Sequence, residues 1–128
     1  MSNIRHTVVI RRDLGMSAGL VGAQTAHISD AFMRETIRDG NDFTTDEEEW
    51  MKAPYLSVLA VNNLEELRVV IQDAEANSLP VHKWHDTVPS TVQPNSFIPN
   101  VLVGISIGPT DFDAIKAVCG YLNPFNES

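Results

Sequence analysis

The sequence predicts an α/β fold: a three-layer α/β/α sandwich around a mixed sheet of about four strands, in a single domain over residues 1–128. Two observations carry this. β-branched apolar runs alternate with amphipathic segments of helical period in the order β-α-β-α-β-β-α. The first two strands are each followed by a segment long enough for a helical crossover, and such crossovers imply parallel neighbours with helices covering the sheet faces. A chain of 128 residues with 43% hydrophobic content can build one core and is too short for two domains.

Residues 6–11 (HTVVIR) read as a strand, and the run Val8-Val9-Ile10 implies burial on both faces. Asp13, Leu14, Gly15 and Met16 break it, and Ser17 is placed to cap a helix over residues 18–37. Gly19 and Gly22 fall in its first turns. Each costs about 1 kcal/mol relative to alanine, which implies close approach of this backbone to the sheet or to a ligand. Residues 39–49 are polar and acidic, a surface loop or short irregular helix before Trp50, and the acids at 46–49 read as a solvated face. Residues 55–61 (YLSVLAV) form the second strand. Asn63 with Glu66 has capping-box form and opens a helix whose Leu64, Leu67, Val70, Ile71 and Ala74 share one face. A third, short strand covers 80–85, and a long loop with Pro89, Pro94 and Pro99 covers 86–99. Residues 101–107 are hydrophobic enough for a central strand. Thr110, with Asp113 three residues on, is expected to cap the last helix, which should stop at Gly120.

The formal charge of −8 argues against a protein that coats nucleic acid through a general positive field. The distribution says more. Residues 1–38 carry five arginines (Arg5, Arg11, Arg12, Arg34, Arg38) against three acids, whereas the remainder carries four basic and fourteen acidic residues. The chain is acidic with one basic end, which permits a local anion-binding face. The single Cys119 excludes an internal disulfide and, in its apolar stretch, reads as a buried thiol. The N-terminus has no signal-peptide pattern, and no apolar run approaches the roughly 20 residues that span a bilayer. A cytoplasmic setting without a membrane partner is the expectation.

Ligands of α/β sheets sit beyond the carboxyl ends of the strands. Two polar loops leave such ends, one at Arg12-Asp13 and one from Asp86 onward. A carboxylate at Asp86 has the chemistry of a general base; the competing reading is an Asp that starts a turn. Ser90 offers a hydroxyl but lacks a Gly-x-Ser-x-Gly elbow. Gln24 and His27 share a helix face with Leu20. His82 and His85, three apart on a strand, point to opposite faces, and neither a Cys-x-x-Cys nor a His-Glu-x-x-His motif occurs. The stretch 15–22 lacks both the dinucleotide fingerprint and a P-loop lysine. No metal and no cofactor is expected.

Taken together these pieces resemble the archaeal/eukaryotic (type II) peptidyl-tRNA hydrolases. The segment Val9-Ile10-Arg11-Arg12-Asp13-Leu14-Gly15-Met16 with Ala23-Gln24-Thr25-Ala26-His27 is similar to that family's V-V-R-x-D-L-x-M-G-K-G-K-x-A-A-Q-x-x-H-A. Asp86, Pro94 and Ser96 match its D-A-G-x-T-x-x-x-P-G-S, and Ile107-Gly108-Pro109 with Gly120-Tyr121-Leu122 match its close. The resemblance implies hydrolysis of the ester between peptide and tRNA, with peptidyl-tRNA as partner and a homodimer as assembly. It implies Asp86, Ser90, Asp13 and His27 as catalytic positions. Arg11, Arg12, Gln24, Gly19 and Leu20 are implied to bind substrate. The departures fall at the centre of the first turn: Ala18 and Leu20 stand where the family carries lysine, and Ser90 where it carries threonine. A cation beside a reacting ester stabilises the oxyanion, and losing such a donor costs about 100- to 1000-fold in rate. A binding or regulatory homologue, or a hydrolase of a smaller ester or amide, are the alternatives.

Overall fold

The structure is a computed structural model and describes residues 3–126. Its elements are β1 (Ile4–Arg11), α1 (Ala18–Arg38), α2 (Thr45–Lys52), β2 (Leu56–Val61), α3 (Leu64–Ala76), β3 (Val81–Pro89), β4 (Phe97–Asp111) and α4 (Phe112–Cys119). The sheet order is β2-β1-β4-β3, with β1 parallel to β2 and β4 antiparallel to both its neighbours. This is the mixed four-stranded sheet expected. Alternation along β1 separates the two cores. Val8 and Ile10 pack with Ile28 of α1, while Val9 packs with Leu67, Val70, Ile115 and Val118 of α3 and α4. Helices therefore cover both faces. The outer edge of β2 is covered in part by the C-terminal segment, where Ala60 N–H donates to Asn123 O and Phe125 N–H to Val58 O.

Local chemistry sets most helix starts where expected. Ser17 caps α1 by accepting from Leu20 N, and Asn63 caps α3 by accepting from Glu66 N. The Glu66 carboxylate reaches back one residue further than a capping box requires, to the Asn62 N–H at 2.6 Å. The acidic segment contains a helix, α2, opened by a reciprocal capping box between Thr44 and Glu47. One cap differs from expectation. Thr110 pairs with Arg5 in the sheet, so the last helix starts a residue later and is capped by Asp111, which accepts from Ala114 N. Gly120 does end that helix, but in a right-handed conformation (φ −63°).

The larger correction concerns the segment 86–99, which is not a long loop. Asp86 pairs with Val101, Val88 with Ile98 and Pro89 with Phe97, leaving only residues 90–96 between the strands. β1 reaches no further along β4 than Gly104, so the start of β4 is paired on one side only. Pro89 and Pro99 are tolerated there because no central ladder needs their missing N–H.

Nor do Gly19 and Gly22 approach the sheet: a Cβ built on either meets nothing within 4 Å. The close approach occurs at Gly104, where a Cβ would stand 2.5 Å from Val9 O and 3.1 Å from Ile28 Cδ1. Backbone and a fully buried side chain cannot both give way. Gly104→Ala is expected to cost about 2 kcal/mol or more, read as a lower urea midpoint. Cys119 is buried with its thiol on Ile115 O, and burial pushes its pKa up to about 11, which makes it unreactive.

Candidate active site

Asp86 lies within β3, two residues after Trp84, so both side chains face α1. Across from them Gln24 is buried at 2% exposure, an unusual place for an amide unless both its ends are used. They are. The Trp84 indole Nε1–H donates to Gln24 Oε1 at 2.8 Å, and Gln24 Nε2 donates to Asp86 Oδ2 at 2.9 Å. The other carboxylate oxygen accepts from Thr87 N at 2.8 Å. His27, one helical turn past Gln24, stacks on Trp84 with ring centroids 5.3 Å apart and planes at 17°. The Arg34 guanidinium lies 5.4 Å from the same indole and donates to His27 O. Gln24 and His27 thus share a face, as their spacing predicts, and β3 shows what that face meets. His27 makes its ring contact with Trp84, not with Asp86.

The loop after β1 converges with the β3–β4 hairpin, but not on Asp86. Arg11 holds Asp13 through two bonds (Nε–Oδ1 3.0 Å, Nη2–Oδ2 2.8 Å) and donates a third to Leu102 O. This pair lines a cleft of about 570 Å³ together with Leu64 and Arg68 of α3, His85, Thr91 and Asn100. Arg11 is therefore a committed cation on the α3 side of the sheet. Arg12 turns elsewhere, its guanidinium 5.9 Å from the Phe125 ring. Neither arginine occupies the place of the missing lysine.

That place is a third neighbourhood. Leu20 lines a cleft of about 440 Å³ with Leu14, Met16, Ser17, Ser90 and Thr91. Ser90 Oγ accepts from Val92 N and Gln93 N, so the hydroxyl oxygen organises its own turn. Gly19 is exposed in the first turn of α1. The candidate positions therefore divide among three neighbourhoods: Asp86 with Gln24, next to His27; Arg11 with Asp13; and Leu20 with Ser90.

His82 and His85 do point to opposite faces. His82 Nδ1 meets Glu35 of α1 at 2.8 Å, whereas His85 lines the cleft against α3. Among the described residues no group of three or more His, Cys, Asp or Glu side chains could hold a metal ion. No helix of the described residues is long and apolar enough to cross a membrane. Of the basic end, Arg11 is neutralised by Asp13 and Arg38 pairs with Asp39 in solvent.

The family model for peptidyl-tRNA hydrolase PTH2 matches residues 4–125. The chain belongs to that family. It is also 30% identical over 121 residues to a peptidyl-tRNA hydrolase of Methanocaldococcus jannaschii, an alignment covering 93% of this chain and 97% of that protein. Sequence reasoning passed over Trp84. Alternation would have found it, since residues 82, 84 and 86 share a strand face, but only with β3 continued beyond residue 85.

Proposed function

We propose that this protein hydrolyses the ester joining a peptide to the terminal ribose of tRNA, with Asp86 as general base. The observation that carries the reading is the buried Gln24 amide devoted to one half-buried carboxylate, in a chain of the peptidyl-tRNA hydrolase family. A buried amide so committed fixes the direction of the Asp86 oxygens, which is what a base needs to take a proton from a positioned water. Water adds to the ester carbonyl as its proton passes to Asp86. Collapse of the tetrahedral intermediate expels the ribose oxygen, which leaves with that proton. Ser90 still has its hydroxyl hydrogen to donate, and with the Ala18 and Gly19 amides at the start of α1 it is assigned to the oxyanion.

Incubation with N-blocked aminoacyl-tRNA tests the reading: free tRNA should accumulate, and no release at high protein concentration would overturn it. Leu20 favours a second reading, a binding module without hydrolysis, which predicts tRNA retained but uncleaved. Leu20→Lys separates the two. It is expected to raise kcat/KM about 10- to 100-fold, because it puts a cation beside the cleft that holds Ser90. Asp13, Arg12 and Gly19 are assigned to shaping and binding around this chemistry. The family also carries the expectation of a homodimer in a cytoplasmic setting. Equilibrium sedimentation at the 14.1 kDa mass of one chain would set the homodimer aside.

A further inference from the structure

We infer that Trp84 is a positioning residue of this site: its indole N–H anchors the oxygen end of the Gln24 amide and so holds Nε2 in place on Asp86. The inference rests on the reading of Asp86 as the base.

An amide has a donor end and an acceptor end of nearly equal shape, so packing alone does not choose between them. Here one end meets an indole N–H at 2.8 Å and the other a carboxylate oxygen at 2.9 Å. Indole is a donor only and a carboxylate an acceptor only. The polarity of the chain is therefore forced. Oε1 must face Trp84, and Nε2 must face Asp86. Turning the amide over would set N–H against N–H at one end and oxygen against oxygen at the other, two losses in a buried setting where unpaired polar groups are costly. Trp84 can anchor the amide because it is itself held: His27 stacks on its ring, and Arg34, which bonds the His27 carbonyl, lies over it. Indole remains the one group in this set that tells the two ends of Gln24 apart without touching Asp86.

Trp84→Phe keeps a ring for His27 and Arg34 and removes the N–H. With N-blocked aminoacyl-tRNA, kcat is expected to fall about tenfold with KM within about twofold, since an aimed base is lost and no substrate contact is. Gln24→Leu should cost at least as much, and the double variant no more than Gln24→Leu alone, because Trp84 acts only through Gln24. Multiplicative losses would overturn the inference. A second measurement is independent of turnover. In ¹⁵N-labelled full-length protein the two Gln24 side-chain N–H resonances should be well separated, and should draw together in Trp84→Phe; resonances that stay put would also overturn it. Where Asp86→Ala retains full hydrolysis, the assignment of the base fails, while these resonances still decide the role of Trp84. If Trp84→Phe does not fold, a benzothienyl isostere at position 84 alone removes the N–H at constant shape, and the same outcomes apply.

Discussion

Asp86→Asn is expected to slow ester hydrolysis by about 100-fold or more with little change in stability. General bases contribute roughly 10²–10⁴ in rate, and an amide cannot accept the proton. Shape is nearly conserved. In the protein Asp86 accepts from Gln24 Nε2 and from Thr87 N, one on each oxygen. Asparagine keeps one acceptor, and it is best spent on the buried Gln24, because Thr87 is exposed and water can take over the bond to its N–H. The expected cost is about 1 kcal/mol. Single-turnover release of tRNA at saturating protein, beside a urea titration, checks both halves. A rate within about threefold of the parent would remove Asp86 from the chemistry.

The second large effect is on stability against acid, and it originates at His6. This side chain is fully buried, edge-on to Phe32 at 5.4 Å and to Trp50 at 5.0 Å. Neither ring nitrogen has a hydrogen-bond partner in the structure. Burial, and then the charge of His82, lowers its pKa from 6.5 to about 3. Protonated His6 would be a charge with no partner in an apolar pocket, so the folded protein holds it neutral. The unfolded chain takes up its proton near pH 6.5. Stability tied to His6 is therefore complete above about pH 6.5 and is lost progressively as pH falls toward 3. At about 1.4 kcal/mol per pH unit, some 3 kcal/mol should go between pH 6.5 and pH 4 from this residue alone. His6→Leu, similar in volume and without a proton to gain, should flatten that part of the urea midpoint curve. Parallel curves for parent and variant would place the acid sensitivity elsewhere.

The sequence carried the fold a long way because its determinants are local. The β-branched runs at Val8-Val9-Ile10 and around Val103 to Ile107, short and bounded by turn residues, read as buried strands. Ser17 and Asn63 mark helix starts because their side chains satisfy N–H groups three residues on, a reach that needs no tertiary partner. The motifs around Asp13, Gln24 and His27 identify the family for the same reason: they are contiguous.

What contiguity could not decide was pairing. The arm formed by Asp86 to Pro89 and Phe97 to Val101 has exposed residues and prolines that read as loop, and becomes strand only because each half finds the other. That pairing puts Asp86 on a strand face instead of in a turn, and through it joins Gln24 to Trp84 across 60 residues of sequence. The turn from Arg11 to His27 shows the same division. Its residues announce a basic, ligand-facing surface. Folding sends Arg11 to Asp13 and Leu102, Arg12 to Phe125 and Leu20 to the cleft with Ser90. Residue type and spacing determined the strands, the caps and the family. Side-chain partners were decided by the tertiary structure, because a hydrogen bond or ion pair between distant segments depends on a register that neither segment encodes alone.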